Sequence, residues 1–367
     1  EMQPWGLFLC VTSKGSFWKF TTTRGAIVAD HPARPFEKAL VFANPSHQLV
    51  FAGQSTIKGD IIVGKPGVTT GNLQNYSSPI QIPVQGRVDP QQSPELPLFQ
   101  ISHLTAQSNH FRELLSQSRH ATETDLRSLT FDTRDATVKL ESITDSIDNV
   151  FVKGDAIVVG KLNRHTSPLY IAAGRNVTVS NNAEINGLVA MLGTNKLTVE
   201  KGASIDHAIL FSDSSIDVKE GAAVSAQLIA PSITMNSGAI ARYPSVLLSM
   251  HVALTDTTKQ QITFSGNARA EGIVALVAVS DLTPAGNLIT LGPQATVVGT
   301  IYTNTRVQLD GTVAGTVLTK DFYFYEAPTT YLGWLRSGAI DRTKLPSGFL
   351  VPPGFDHNLK LDVLEWL

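Results

Sequence analysis

Only one cysteine occurs in the chain, Cys10, so no internal disulfide framework can hold the fold, and a lone thiol reads as a small buried hydrophobe. Charge is also scarce. Charged residues make up 16% of the sequence, against roughly a quarter in ordinary soluble domains, and the formal net charge is −2. No basic stripe is present, which argues against nucleic acid as a partner. No apolar run reaches the roughly 18 residues that a membrane-spanning helix needs. A Gly-x-Ser-x-Gly elbow is missing, so serine-hydrolase chemistry is unsupported. The nine histidines show no metal-ligand spacing, and neither a metal nor another cofactor is expected.

What is abundant is one recurring frame between Asn176 and Lys320. Val177-Thr-Val179 precedes Ala183-Glu-Ile185-Asn-Gly187, and Leu197-Thr-Val199 precedes Ala203-Ser-Ile205-Asp-His207. Later copies start at Ile216, Ile233, Ile262, Ile289 and Val307, giving a unit of about 18 residues with two longer copies. Apolar residues alternate at period two within each copy, which sends one row of side chains inward and the next outward on short strands. A unit this short cannot bury its inward row alone, so coils must stack at about 4.8 Å per rung. The expectation is an all-β fold, a parallel β-helix of about ten coils with N- and C-terminal caps and one helical, Pro-rich insertion. The fixed alanine and the glycines at 187, 272, 299 and 315 suit tight corners between the strands.

In chain order the reading gives an N-terminal cap and first coils over 1–74, with residues 5–28 placed over the first rung. A Pro-rich linker and amphipathic helix follow over 75–142, then the array over 143–320 and an aromatic cap over 321–367. Thr56-Ile-Lys-Gly-Asp60 and Ile61-Ile-Val-Gly-Lys65 return as Val152-Lys-Gly-Asp155 and Ala156-Ile-Val-Val-Gly-Lys161. Coils therefore lie on both sides of the insertion. The spacing of Gly59 to Lys65 matches a phosphate loop, yet Pro66 stands where a hydroxyl is needed and the interior is β-branched, so the segment reads as a strand.

Two kinds of chemistry compete for the outward positions. Many β-helices act on polysaccharides through outward carboxylates, and Asp206 with His207, and Glu271 near Arg242, are the catalytic candidates here. The second carboxylate lies three or four rungs from the first, about 14 to 19 Å, beyond the roughly 5 to 9.5 Å that glycosidases use. The more regular outward row is Thr178, Thr198, Asp217, Thr234, Thr263, Thr290 and Gln308. Its five threonines form a candidate binding ladder for lateral association, since residues 272–305 hold Asp281 as their one acidic or basic residue.

The Val-x-Leu and Ala-x-Val-x-Gly-x-Ile text of 289–319 is similar to that of bactofilins, polymer-forming bacterial β-helices, although the longer coils and large caps are not theirs. The wider layout resembles a family of Bacteroidetes envelope proteins that sit beside prepilin-like proteins. That resemblance rests on Trp5-Gly-Leu-Phe8, on Ala52-Gly-Gln-Ser-Thr-Ile-Lys-Gly59, on Val63-Gly-Lys-Pro-Gly-Val68, on Ile340-Asp-Arg-Thr-Lys-Leu-Pro346 and on Glu365-Trp-Leu367. It brings no known activity, and it implies a bacterial cell-envelope location and an N-terminal membrane anchor missing from this chain. The expected function is a non-enzymatic structural or interaction protein of a pilus-like or secretion-related assembly, with protein partners or self-association. A polysaccharide-binding or polysaccharide-cleaving β-helix, with a glycan as partner, is the alternative.

Overall fold

The first six copies of the frame open on four-residue strands, Asn176–Val179, Lys196–Val199, Ser215–Val218, Ser232–Met235, Gln261–Phe264 and Leu288–Leu291, and the seventh continues from the strand Thr296–Leu309. In the computed structural model, which describes residues 2–32, 34–73, 76, 78–99, 102–120, 126–250, 259–278, 286–355 and 360–367, successive copies pair parallel and in register. Val177, Leu197, Ile216, Ile233, Ile262, Ile289 and Val307 form one continuous buried row. The fold is an all-β parallel β-helix with one helix beside it.

A turn follows each opening strand and ends at the recurrent alanine. The amides of Ala203, Ala222 and Ala239 donate to the carbonyls three residues back, at 3.1, 3.1 and 2.9 Å, and these alanines are buried against the next rung. The next strand is longer and bends, and its first residues carry a second inward row, Ile185, Ile205, Val224, Ala241, Ala270, Val297 and Val313. A second corner within the same strand then turns the chain onto a third side. Gly272, Gly299 and Gly315 stack at that corner, and a Cβ on Gly299 would lie 1.9 Å from the Gly272 carbonyl oxygen, so only glycine fits. The coil is thus a three-sided prism. We call its sides, in this order, the ladder face, the short face and the packed face.

Space and chain order part company at the C-terminal end of the array. Thr312–Glu326 pairs through Val317, Leu318 and Thr319 with Leu40–Phe42, while Trp334–Arg336 and Ala339–Asp341 pair with Leu49–Ala52 and Thr56–Lys58. Leu40–Phe42 carries Ile61–Gly64, which in turn carries Val88–Gln91. Residues 321–341, expected to plug the stack, therefore complete, with Val317–Thr319, the coil on which the N-terminal coils stand. Phe322 and Phe42 stack across that junction with ring centroids 6.0 Å apart.

The recurring Lys-Gly-Asp text serves different corners of the prism. Asp60 follows the short face and Asp155 precedes the ladder face, but the local chemistry is shared. Asp60 Oδ1 accepts from the Arg87 amide at 3.0 Å, and Asp155 Oδ1 accepts from the Asn176 amide at 3.1 Å. Each carboxylate thereby holds the backbone of an adjoining coil. Ile61–Gly64 is a strand, as the phosphate-loop test anticipated.

Residues 5–28 do not lie over the first rung. Strands Met2–Trp5, Phe8–Phe17 and Phe20–Asp30 join the C-terminal strand Leu361–Trp366 in an antiparallel sheet on the packed face. The helix Ser102–His120 lies beside it, as its apolar spacing required, with Leu104, Phe111, Leu114 and Leu115 buried. Phe111 packs on Phe211 at 5.3 Å, and Arg112 reaches Asp213 at 2.8 Å. Residues 345–355 complete the cover with Phe349, Leu350, Val351 and Phe355.

Candidate functional site

The three faces differ in what becomes of their outward side chains. On the packed face the outward row is itself apolar, including Phe151, Ala190, Phe211, Ile229, Leu248, Ala275, Tyr302 and Leu318, and the terminal sheet, the helix and residues 345–355 bury it. A segment that reads as continuous apolar text is here buried on both sides. The Pro-rich segment is tied down at the same place. Tyr302 donates its hydroxyl to the Pro97 carbonyl at 2.9 Å, and burial pushes that phenol up to about 12.

The ladder face stays open along its length. Ile157, Thr178, Thr198, Asp217, Thr234, Thr263, Thr290 and Gln308 stand in one in-register column, one rung apart, and all are at least partly exposed. The five threonines singled out in the sequence are all members of it. The two longer copies do not break the column, because their extra residues enter between the packed-face strands ending at Met250 and Val277 and the ladder strands starting at Gln261 and Leu288. A neighbouring column holds Asn176, Lys196, Ser215, Ser232, Gln261, Leu288 and Arg306. Asp217 is the one acid among the threonines, and it is neutralised where it stands. Lys219 and Lys196 reach its Oδ2 at 2.7 and 3.0 Å, and Asn236 donates to Oδ1 at 2.6 Å. Burial raises this carboxyl, but those three partners together outweigh it and hold the group below its usual range. The column is therefore polar apart from Ile157 and holds one charged residue, Asp217, while Lys196 and Arg306 stand in the column beside it. At its edge, Ile157, Thr178, Ser180, Asn181, Glu200 and Lys201 line a shallow open depression.

The catalytic candidates lie on the short face. Asp206 stands between Asn186 and Ser225, and Glu271 follows Ala270, which is in register with Ala241 and Val224. Three rungs separate the two carboxylates, about 14 Å, so the fold does not bring them together as an acid and base pair. Glu271 instead accepts from Arg269 Nε at 2.7 Å. Exposed Arg242 is on the rung next to that of Glu271.

His207 is built into the docking of the terminal sheet. Its backbone is left-handed (φ 63°), its carbonyl accepts from Trp5 Nε1 at 3.0 Å, and its Nε2 lies 2.7 Å from Glu365 Oε2. One rung on, the Gln227 side chain donates to the Trp5 carbonyl and accepts from the Leu7 amide. A Cβ on Gly6 would sit 2.0 Å from Gln227 Oε1, which explains the glycine inside Trp5-Gly-Leu-Phe8. Among the described residues no group of three or more His, Cys, Asp or Glu side chains is placed to hold a metal ion.

Sequence reasoning missed one polar cluster, at the seam between the two ends of the array. Asp321 is buried, with His47 Nδ1 at 2.7 Å and Asn44 Nδ2 at 2.9 Å from its Oδ2. Burial lifts the Asp321 carboxyl above its usual value, against the pull of His47 and Asn44. The signal available was local, Asn44-Pro-Ser-His47, where Asn44 Oδ1 accepts from the amides of Ser46 and His47 as an Asx turn does.

No protein-family model, curated protein or solved structure matches this chain.

Proposed function

We propose that this chain is a non-enzymatic structural and interaction protein of the bacterial cell envelope, associating laterally through its ladder face within a pilus-like or secretion-related surface assembly. The observation that supports it is the contrast between faces. Three separate elements cover the packed face, whereas the in-register column from Ile157 to Gln308 stays at least partly exposed and holds one charged residue, Asp217. Such a surface can meet a second protein without burying unpaired charge. The envelope location and the assembly rest on the family resemblance of the two chain ends.

A glycan partner is the second reading, favoured by the hydroxyl, amide and charged groups around the depression at Thr178, Ser180, Asn181, Glu200 and Lys201. With Asp206 and Glu271 apart, it is a reading of binding more than of cleavage.

The test combines cell fractionation with one variant, Thr234→Arg/Thr263→Arg, which plants two unpaired cations in the middle of the column. Wild-type protein should recover with the envelope fraction and cross-link into larger species, and the variant should remain folded and lose those species. A monomeric, purely cytosolic wild-type protein would overturn the proposal. Retention on a polysaccharide panel that Asn181→Ala/Lys201→Ala abolishes, without any cross-linked species, would select the glycan reading.

A further inference from the structure

The terminal sheet does more than cover the packed face, because part of it leaves the body of the molecule. Strands Phe8–Phe17 and Phe20–Asp30 stay paired from Leu9 opposite Val28 out to Phe17 opposite Phe20. Cys10, Ala26 and Ile27 are buried at the root, whereas the described side chains from Ser13 to Arg24 are exposed. Six residues separate Val11 from Phe17, so the hairpin projects about 20 Å.

Its tip is apolar. Phe17, Trp18 and Phe20 are 81%, 92% and 77% exposed. A two-residue hairpin turn with positive φ ordinarily takes Asn or Gly at its first place, yet Trp18 occupies it at φ 57°. A large aromatic that is strained and unburied gives nothing to the fold of this chain.

Pairing also places Phe17 and Phe20 on the same side of the sheet as Leu9, Val11, Ala26 and Val28, because residues directly opposite one another share a face and alternate along the strand. Met2 on the first strand and Val363 and Trp366 on the last extend that apolar side, with 57%, 37% and 66% exposure. The charges are of one sign. Lys14, Lys19 and Arg24 lie on the hairpin, and no Asp or Glu occurs from Met2 to Ala29. The sheet's acids sit at its root, where Asp30 accepts from the Lys360 amide, Glu365 faces His207 and exposed Asp362 lies 3.5 Å from His31.

We infer that this hairpin is a membrane-interfacial anchor. Phe17, Trp18 and Phe20 enter the boundary between headgroups and acyl chains of an anionic bilayer, while Lys14, Lys19 and Arg24 meet its lipid phosphates. Trp and Phe partition favourably into that boundary, and each nearby cation adds attraction to an anionic leaflet. The assignment is independent of the ladder-face reading, which concerns a different side of the prism.

Co-sedimentation of the full chain with vesicles tests it, using phosphatidylcholine alone and phosphatidylcholine mixed with phosphatidylglycerol. Wild-type protein should bind the mixed vesicles, with a blue shift of tryptophan emission and release by added salt. Phe17→Ser/Trp18→Ser/Phe20→Ser should lose roughly tenfold or more in binding while keeping the wild-type melting midpoint, since these side chains are not buried. Lys14→Gln/Lys19→Gln/Arg24→Gln should remove the preference for mixed vesicles. Equal sedimentation with and without vesicles, or unchanged binding by the aromatic variant, would overturn the assignment. So would vesicle-independent oligomers that the aromatic variant dissolves, which would give the tip to a protein partner.

Discussion

Truncating a side chain means different things on the inward and outward rows of the coil. Ile205 is buried between Ile185 and Val224, so Ile205→Ala removes apolar contact and leaves a cavity that a rigid stack closes poorly. Thr263 occupies the open column, and Thr263→Ala there trims a partly exposed side chain. We expect losses of about 2 to 4 kcal/mol for the first and about 0.5 kcal/mol or less for the second, read as midpoints in chemical denaturation. Equal midpoints would contradict the inward and outward rows. Asp217 adds a pH dependence with a defined sign. Its folded value lies below the ordinary 3.8, so its stabilisation is present above that pH and is lost as pH falls through the folded value. Asp217→Ala should therefore be less stable than wild type at neutral pH, by about 1 kcal/mol, and the gap should close in acid. Thermal melts of both proteins from neutral to acidic pH measure it.

At the scale of strands and corners, much of the architecture is local and therefore legible. Period-two alternation marked the inward rows, the recurrent alanine marked one corner, and Gly272, Gly299 and Gly315 marked another, because each is decided by what touches it one rung away. The helix was legible from the spacing of Leu104, Phe111, Leu114 and Leu115. Of the candidate site, the threonine column could be read because its period is the coil itself. The docking of Trp5 and Leu7 on His207 and Gln227 could not, since partners more than two hundred residues apart leave no periodic trace. The Lys-Gly-Asp text shows the opposite limit. Similar words recurred, yet they occupy different corners, since what they encode is an aspartate that holds the adjoining coil's amide and not a position on the prism. The last rung at the N-terminal-coil end, Val88–Gln91, contains Pro90. A proline lacks the donor that a further strand would need, so that edge is poorly suited to continue the stack.

For the molecule as a whole, stability depends on a seam that the chain closes on itself. Asn44 and His47 come from the N-terminal coils and Asp321 from the C-terminal one; Asp321 is buried and its two partners are half-buried. His47→Ala leaves the Asp321 carboxylate with less compensation. The variant should weaken the docking of residues 40–91 by about 1 to 3 kcal/mol. Hydrogen exchange should then show faster amides in 40–91 and unchanged ones in 176–235. Uniform loss of protection across both would mean that the seam is not a separate point of opening. The same coil order bears on how the protein is made. Synthesis delivers residues 40–91 first, but Val317–Thr319, Trp334–Arg336 and Ala339–Asp341, the strands they pair with, emerge from the ribosome more than two hundred residues later. Until then the coils of 40–91 can pair only with one another, while the longer array from 149 to 309 can already stack as it appears. Growth from the middle outward, with the beginning of the chain waiting for its end, is the order that this pairing imposes.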